Sequence, residues 1–420
     1  MDHKERMRKA LNHEPAQEIP IDFGSSAVTG MHALAVDKLR DYYGLEKRPV
    51  KVEEPYQFLG KLEDDLLDAL AVDTIGITPR NTLFGFPNEN WKEFKTWWGQ
   101  VVLVSEHFQT RASPDRGLLI YPGGDQSVAP SGRMPKSGFF FDTIIRQDPI
   151  DEAALKVEDN LEEFTPVSEN ELQYFASEAK AAAKSGRSVV ATFGGTALGD
   201  IALVPGPFLK HPRGIRDVSE WYVSLVTRRD LVHEIFARQT ETGIANLEKI
   251  FAQVGNIPEV VFICGTDFGT QESQFCSEKT FESLFAPYYK KVNGWIHGHT
   301  TWKTFKHCCG AVEVFMKHFI ACGFDIINPV QISAKGMDPK ILKERYGENL
   351  VFWGGGVDTQ KTLPFGSPEE VRAEVLRNCE IFSCNGGFVF NSVHNVQANV
   401  PVENIVAMMD AVKEFNGQRP

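Results

Sequence analysis

The sequence lacks the features that would mark a membrane or secreted protein. No uninterrupted apolar run approaches the length of a membrane span, and residues 1–5 lead directly into a polar helix pattern rather than a secretory leader. The seven cysteines are an odd number without the spacing of a disulfide framework, which is typical of a reducing compartment. We therefore expect a cytoplasmic protein that does not contact a membrane.

Basic residues are fewer than acidic ones. The chain has 44 Lys and Arg against 56 Asp and Glu, a net charge of −12, which argues against nucleic acid or an anionic membrane as the main partner. No Pro/Gly/Ser-rich linker divides the 420 residues. We expect a single domain spanning residues 1–420 with an ample core. The sequence leaves open whether the chain forms a homo-oligomer.

What the sequence does contain is a regular alternation of strand-like and helix-like segments. The strand-like segments are residues 19–24, 74–78, 188–193, 260–264, 302–307, 325–328, 350–353 and 387–391. Helix patterns, which include residues 217–246 and 278–295, separate successive segments, and this is typical of a parallel α/β sheet. Eight strands are the number at which such a sheet closes, so the alternation predicts a (β/α)8 TIM barrel.

Residues from about 80 to 149 have a different character. Here Trp91, Trp97 and Trp98 are followed by short apolar runs that alternate with Gly, Pro and Asp clusters. This pattern predicts an inserted hairpin region between strands 2 and 3 of the barrel. We expect its aromatic residues, together with residues 139–141, to cover an aromatic substrate.

One motif stands out after the fifth strand, at residues 304–310 (Thr-Phe-Lys-His-Cys-Cys-Gly). His307 and Cys309 alternate by two, so on an extended strand end their side chains point the same way. An imidazole and a thiolate that leave a strand together can bind zinc. The pair alone is also consistent with a buried polar residue beside a small hydrophobe.

The predicted barrel brings other polar residues to the same face, because active sites of such barrels lie at the C-terminal ends of the strands. Asp267 and Glu272 follow the fourth strand, Asn328 and Gln331 the sixth, and His394 the last. Such a face can supply the three protein ligands and the open position that a catalytic zinc requires. The opposite face receives His297, His299, Cys322, Cys379 and Cys384.

Over nearly its whole length the sequence resembles the uroporphyrinogen decarboxylase superfamily, and most closely its corrinoid-dependent methyltransferases, which include the methylcobalamin:coenzyme M methyltransferases. The segments that carry the resemblance are residues 20–30, 39–45, 285–291, 307–310, 323–329, 354–359 and 367–371. The resemblance implies a (β/α)8 barrel. It also implies a zinc site built from a His-x-Cys pair, which His307 and Cys309 match, and a cysteine after the last strand.

Two departures from the family pattern shape the interpretation. The arginine-rich segment with which the decarboxylases bind substrate carboxylates is not apparent near the first strand, which argues against porphyrinogen decarboxylation. Where the methyltransferases have their last cysteine, this chain has residues 387–394, ending in His394. The resemblance therefore implies His394 as the third zinc ligand, with Cys308 as the alternative.

These residues suggest a chemistry. Replacing one thiolate by an imidazole leaves a more electrophilic zinc, which favours action on an ether oxygen. We expect O-demethylation of a small methyl ether, with the methyl group passing to the cobalt of a separate corrinoid protein. Asp267 and Glu272 are the catalytic candidates, as a fourth zinc ligand, a proton donor or a substrate-orienting group.

Several alternatives remain open at this point. They are a decarboxylase-like lyase without a metal, a methylcorrinoid:thiol methyltransferase, and a non-catalytic protein that binds a corrinoid or tetrapyrrole. Zinc content separates the metal-dependent functions from the others. The sequence does not identify the methyl donor or acceptor, or the direction of transfer.

Overall fold

The computed structural model of the chain describes residues 1–418. None of the helices in this range is long and apolar enough to cross a membrane. The helices are α1 (His3–Leu11), α2 (Ala33–Tyr42), α3 (Asp64–Ala69), α4 (Glu169–Ala182), α5 (Val218–Thr227), α6 (Arg229–Val254), α7 (Glu278–Leu284), α8 (Ala286–His299), α9 (Met316–Ala321), α10 (Pro339–Tyr346), α11 (Thr362–Phe365), α12 (Pro368–Ser383) and α13 (Val402–Phe415).

The strands divide into one parallel sheet and two sheets that contain antiparallel hairpins. They are β1 (Met31–His32), β2 (Val50–Glu54), β3 (Leu59–Gly60), β4 (Thr74–Ile77), β5 (Trp91–Lys95), β6 (Val101–Ser105), β7 (Thr110–Ala112), β8 (Leu118–Ile120), β9 (Gly132–Met134), β10 (Asp142–Thr143), β11 (Ser188–Thr192), β12 (Val260–Cys264), β13 (Lys303–His307), β14 (Ile326–Asn328), β15 (Val351–Trp353) and β16 (Phe388–Val389). The parallel sheet has seven strands, with β4 and then β11 to β16 as successive neighbours.

The segment around Ile21 joins the two edges of this curled sheet. Ile21 forms a parallel bridge with Phe390, and the Asp22 N–H donates to the Phe390 carbonyl at 2.9 Å. On the other side the Asp73 N–H, just before β4, donates to the Ile21 carbonyl at 2.7 Å. The segment takes the place of an eighth strand, which is the arrangement of a (β/α)8 barrel.

The interior of the sheet is filled by apolar side chains from its strands. This inner cluster consists of Val190, Val260, Phe305, Ile326, Val351, Trp353 and Val389, with Met7, Ala10 and Leu11 from α1. Because side chains alternate along a strand, the inward position of Phe305 places His307 on the same, inner side of β13. A larger apolar cluster packs the helices onto the outside of the sheet.

Two of the predicted helices are each divided into two. The predicted helix over residues 217–246 breaks at Arg228, whose guanidinium folds back to Glu220 and Ser224 of α5. The predicted helix over residues 278–295 breaks at Phe285. Pro287 has no N–H to donate to the preceding turn, so α7 ends and α8 begins there.

Antiparallel hairpins lie between β4 and β11. Strands β5 and β6 pair with each other, and β7 to β10 form a four-stranded sheet. β6 also pairs with β2, so that the larger of these sheets includes β1, β2 and β3 from residues 31–60, ahead of the range predicted as inserted. The division into one barrel domain over residues 1–420 with an insertion near 80–149 stays a prediction.

Candidate metal centre

Two strand ends bring together three potential metal ligands. His307 is the last residue of β13, and its Nε2 lies 3.4 Å from the Sγ of Cys309. The ring of His394, in the loop after β16, has its centroid 5.3 Å from that of His307. One ligand atom from each of the three side chains lies within 4.8 Å of the other two. The three residues predicted as ligands therefore converge on one point.

The ring of His307 is held by the neighbouring strand. Its Nδ1 lies 2.6 Å from Oδ1 of Asn328, which pairs with His307 in the sheet. Because Nδ2 of Asn328 donates to the Trp353 carbonyl at 2.9 Å, Oδ1 is the acceptor and Nδ1 of His307 carries the proton. The lone pair of Nε2 is therefore free on the side of Cys309, as a metal ligand requires. Burial, assisted by Lys306, lowers the pKa of His307 to about 4, so the ring is neutral near pH 7.

The backbone around Cys309 is fixed by side chains from the loops after β12 and β14. The Cys309 N–H donates to Oδ1 of Asp267 at 2.6 Å, and the Gly310 N–H donates to Oε1 of Gln331 at 2.6 Å. A Cβ at Gly310 would lie 2.4 Å from the Gly269 carbonyl, so the turn requires glycine. Burial and the charge of Asp267 raise the pKa of the Cys309 thiol well above its usual value. The thiolate would therefore need a cation to stabilise it.

His394 is held differently from His307. Its Nδ1 accepts a hydrogen bond from the backbone N–H of Asn395 at 2.8 Å. Burial, with a smaller contribution from His307, lowers the pKa of His394 to about 3. Both histidines are therefore neutral near pH 7, the state in which imidazole binds metals.

The residue types and spacing fit a zinc ion. Zinc binds nitrogen at about 2.0–2.1 Å and sulfur at about 2.3 Å, so ligand atoms of one tetrahedral zinc are roughly 3.5 Å apart. The 3.4 Å between Nε2 of His307 and Sγ of Cys309 agrees with this spacing. Two neutral nitrogens and one sulfur leave a fourth position open, which is typical of catalytic rather than structural zinc.

The other predicted site residues have different surroundings. Asp267 borders the cluster through its bond to Cys309, and burial raises its pKa. Glu272 is exposed on the turn after β12, and within residues 1–418 its carboxylate has no hydrogen-bond partner. Cys308 points away from the cluster. Its Sγ accepts the Phe268 N–H at 3.3 Å, and burial raises its pKa to about 12.

Asp200 is a residue at this end of the sheet that the sequence analysis missed. It follows β11, and its carboxylate accepts the N–H groups of Gly265 at 3.1 Å and Ala202 at 2.9 Å. Burial, together with the charge of Asp267, raises the pKa of Asp200. A glycine-rich run follows the third predicted strand, so the rule that pointed to Asp267 would also have found Asp200.

Lys306 was also missed, although it lies inside the motif. Its side chain is fully buried on the outer side of β13, 5.3 Å from the centroid of the Phe268 ring, and Nζ donates to the Thr266 carbonyl at 2.5 Å. Burial lowers the pKa of Lys306, but the surrounding thiols and carboxyls more than offset this and raise it overall. A positive charge therefore lies beside the candidate ligands.

An aromatic cluster lies beside the loop that carries His394. The ring centroids of Trp98 and Phe139 are 5.2 Å apart, and both rings pack against His32. The His32 N–H donates to the Val396 carbonyl at 2.8 Å, so the cluster adjoins this loop. Its role as a cover for an aromatic substrate stays a prediction.

Comparison with known families and curated proteins gives one family match. The family described as uroporphyrinogen decarboxylase (URO-D) matches residues 159–415, more than half of the chain. The matched region includes all three of the converging side chains. No curated protein matches the sequence.

Among solved structures, a methyltransferase from Methanosarcina mazei is similar in fold. It has a TM-score of 0.56 and 15% sequence identity, with 99% of each chain covered. An endo-1,4-beta-xylanase from Penicillium canescens reaches a TM-score of 0.34 at 11% identity, covering 63% of this chain and 82% of its own. The second likeness is too low to carry an argument, and the first shows a common fold over the whole chain.

Proposed function

Since this chain belongs to the uroporphyrinogen decarboxylase family, we propose that it is a zinc-dependent methyltransferase. It moves a methyl group from a small methyl ether to the cobalt of a separate corrinoid protein. The observation that carries this proposal is the convergence of His307, Cys309 and His394 at the C-terminal end of the sheet. Active sites of barrels with this architecture lie at that end.

Three side chains would hold the metal. His307 would bind through Nε2 and Cys309 through its thiolate, with His394 as the third ligand. When bound, zinc supplies a Lewis acid that stabilises negative charge on the leaving oxygen. One thiolate and two neutral imidazoles would leave a net charge of about +1 on the site, which makes it more electrophilic than a site with two thiolates and better suited to polarising an ether oxygen.

Asp267 is the proposed proton donor to that oxygen. Burial raises its pKa, which favours the protonated carboxyl, and its bond to the Cys309 N–H keeps it beside the ligands. The O–CH3 bond breaks with its electron pair remaining on oxygen. The reduced cobalt supplies the pair for the new bond to the methyl group, and the proton of Asp267 goes to the oxygen to give an alcohol or phenol. Lys306 then lies near the Asp267 carboxylate that remains.

The decisive experiment combines metal analysis with a substrate panel. We expect about one zinc per chain. With a reduced corrinoid protein, we expect demethylation of an aryl methyl ether faster than methylation of a thiol by the methylated corrinoid protein. Faster thiol methylation would contradict the proposed substrate class. Decarboxylation of a porphyrinogen without zinc, or corrinoid binding without turnover, would contradict the methyltransferase itself.

A further inference from the structure

Asn395, the residue after His394, ties three segments together. It is 1% exposed, and its Oδ1 accepts the Gly30 N–H at 2.6 Å. Its Nδ2 donates to the Ala27 carbonyl and to Oε1 of Gln57, each at 2.8 Å. These bonds use both donors and the acceptor of the carboxamide, so its orientation is fixed. The loop after β16 is thus fastened to the loop after the first strand-like segment and to the turn between β2 and β3.

The backbone N–H of Asn395 has a separate role, because it donates to Nδ1 of His394. A neutral imidazole whose Nδ1 accepts a hydrogen bond carries its proton on Nε2. His307 has the opposite arrangement, with the proton on Nδ1 and the lone pair of Nε2 directed at the sulfur of Cys309. The two rings are therefore not equivalent before a metal arrives.

This difference has a consequence for metal binding. A metal on Nδ1 of His394 would take the lone pair that now accepts the Asn395 N–H. A metal on Nε2 would move the ring proton to Nδ1, so that two N–H groups faced each other. In both cases His394 must exchange the Asn395 N–H for the metal. Such an exchange keeps the ring near His307 and Cys309 only if the loop itself stays in place.

We propose that Asn395 is a positioning residue that holds the His394 loop in place during this exchange, with Gln57 acting through it. The bonds made by the Asn395 side chain do not involve the imidazole, so they persist when the backbone N–H releases Nδ1. The inference rests on the proposed function for the identity of the metal. It adds two residues that act on the metal without touching it.

The test compares two variants with two matched controls. Asn395→Ala removes the anchor, and Gln57→Ala removes only the half-buried partner of that anchor. Asn404→Ala matches the first variant. Asn404 is 2% exposed and its Nδ2 donates to the Leu363 and Gly366 carbonyls, each at 2.9 Å.

Gln100→Ala matches the second variant. Gln100 is half-buried, donates to the Ala33 carbonyl and accepts the Trp98 indole N–H, each at 3.0 Å. Neither control residue bonds to the His394 loop within residues 1–418.

Zinc affinity is measured by competition with a chelator, beside thermal unfolding of the metal-free proteins. We expect Asn395→Ala to weaken zinc binding about 10- to 100-fold, the usual effect of losing an outer-sphere partner, and Gln57→Ala about threefold. Both controls should keep the wild-type affinity while losing comparable thermal stability. With cobalt(II) as a spectroscopic probe, the Asn395→Ala spectrum should approach that of His394→Ala, which a purely structural role would not produce.

Equal losses of zinc affinity in the variants and their controls would overturn the proposal, as would wild-type affinity in Asn395→Ala. If Asn395→Ala does not fold, the comparison of Gln57→Ala with Gln100→Ala decides. A wild-type protein that binds neither zinc nor cobalt overturns the proposal as well. A wild-type protein that binds zinc without methyl transfer overturns only the proposed function and leaves the role of Asn395 standing.

Discussion

Polar groups at the two ends of the parallel sheet differ in whether they are paired with opposite charges. At the N-terminal end, Asp73 pairs with Arg6 and with Nδ1 of His3 at 2.7 Å. Arg6 also binds Glu18, with Nε 2.9 Å from the carboxylate. At the C-terminal end, Nε2 of His307 lies 3.4 Å from the sulfur of Cys309, and neither group carries a charge partner among residues 1–418.

From this difference we infer that the polar groups at the N-terminal end contribute to stability and those at the C-terminal end to function. Buried charges at the N-terminal end are paired, so removing one partner leaves the other uncompensated. At the C-terminal end the neutral Nε2 of His307 and the sulfur of Cys309 face each other, while carboxamides and a carboxyl hold the ring and the backbone behind them. The predictions that follow test whether the first end serves mainly stability and the second mainly metal binding.

Replacing Cys309 by alanine should have the largest effect. We expect Cys309→Ala to reduce methyl transfer at least about 100-fold, because the charge on the leaving oxygen loses its metal. Bound zinc should fall, while metal-free thermal unfolding changes little. The control is Cys308→Ala, which removes a neighbouring sulfur that points away from the cluster and should retain zinc. If Cys308→Ala loses zinc and Cys309→Ala keeps it, the assignment of the ligands is wrong.

The pH dependence of zinc binding should be nearly as large. The Cys309 thiol, with its raised pKa, must lose a proton to bind, so affinity should rise about tenfold per pH unit between pH 5 and 8. The histidines, with pKa values of about 4 and 3, are already neutral there and add nothing to the slope. Chelator competition across this range measures the slope. A hundredfold change per unit would mean that a second proton is released.

At the opposite end, Asp73→Ala should destabilise the fold without affecting the metal. Loss of this buried carboxylate removes one of the two acidic partners of Arg6 and the acceptor of the Ile21 N–H, and breaking such a buried pair costs about 3–5 kcal/mol of unfolding free energy. Asp68→Ala is the control, because Asp68 is 74% exposed where it pairs with Arg187 and should contribute at most about 1 kcal/mol. Urea unfolding measures both. A loss of zinc affinity in folded Asp73→Ala would break the contrast between the two ends.

The smallest effect is expected at Glu272. Its exposed side chain contacts none of the three candidate ligands, so Glu272→Gln should change turnover less than about twofold, within the range of ordinary surface substitutions. Asp267→Asn should lower turnover about 100-fold or more as a lost proton donor. Steady-state kinetics of the two variants decide between the carboxylates. Equal losses would restore Glu272 as a catalytic candidate.

The sequence predicted the family and the parallel α/β sheet, and both are confirmed. It also placed β4 and β11 to β16 to within one or two residues, because buried parallel strands are short, apolar and bounded by turns. The first predicted strand, residues 19–24, is reduced to a single bridge at Ile21. The motif around His307 could be placed from the sequence for the same reason, since it follows one of these strands directly. Zinc binding and the corrinoid partner stay predictions.

The features that could not be predicted from the sequence are those that depend on contacts between distant segments. Nothing in the residues near His394 indicates that Asn395 bonds to Gly30 and Gln57, more than 300 positions earlier. The orientation of each imidazole is likewise set by its neighbours in space. The break in the helix at Phe285 could have been predicted, because Pro287 is apparent in the sequence and its missing N–H is a local property.

The bridge between Ile21 and Phe390 has a consequence for the order in which the three candidate ligands come together during synthesis. A ribosome releases the N-terminal segments first, so β13, with His307 and Cys309, can leave the tunnel while β16 is still being made. Until β16 docks against the segment around Ile21, His394 has no fixed place near the other two. The nascent chain can therefore present at most two of the three candidate ligands, and a metal would be captured firmly only after translation of the last strand.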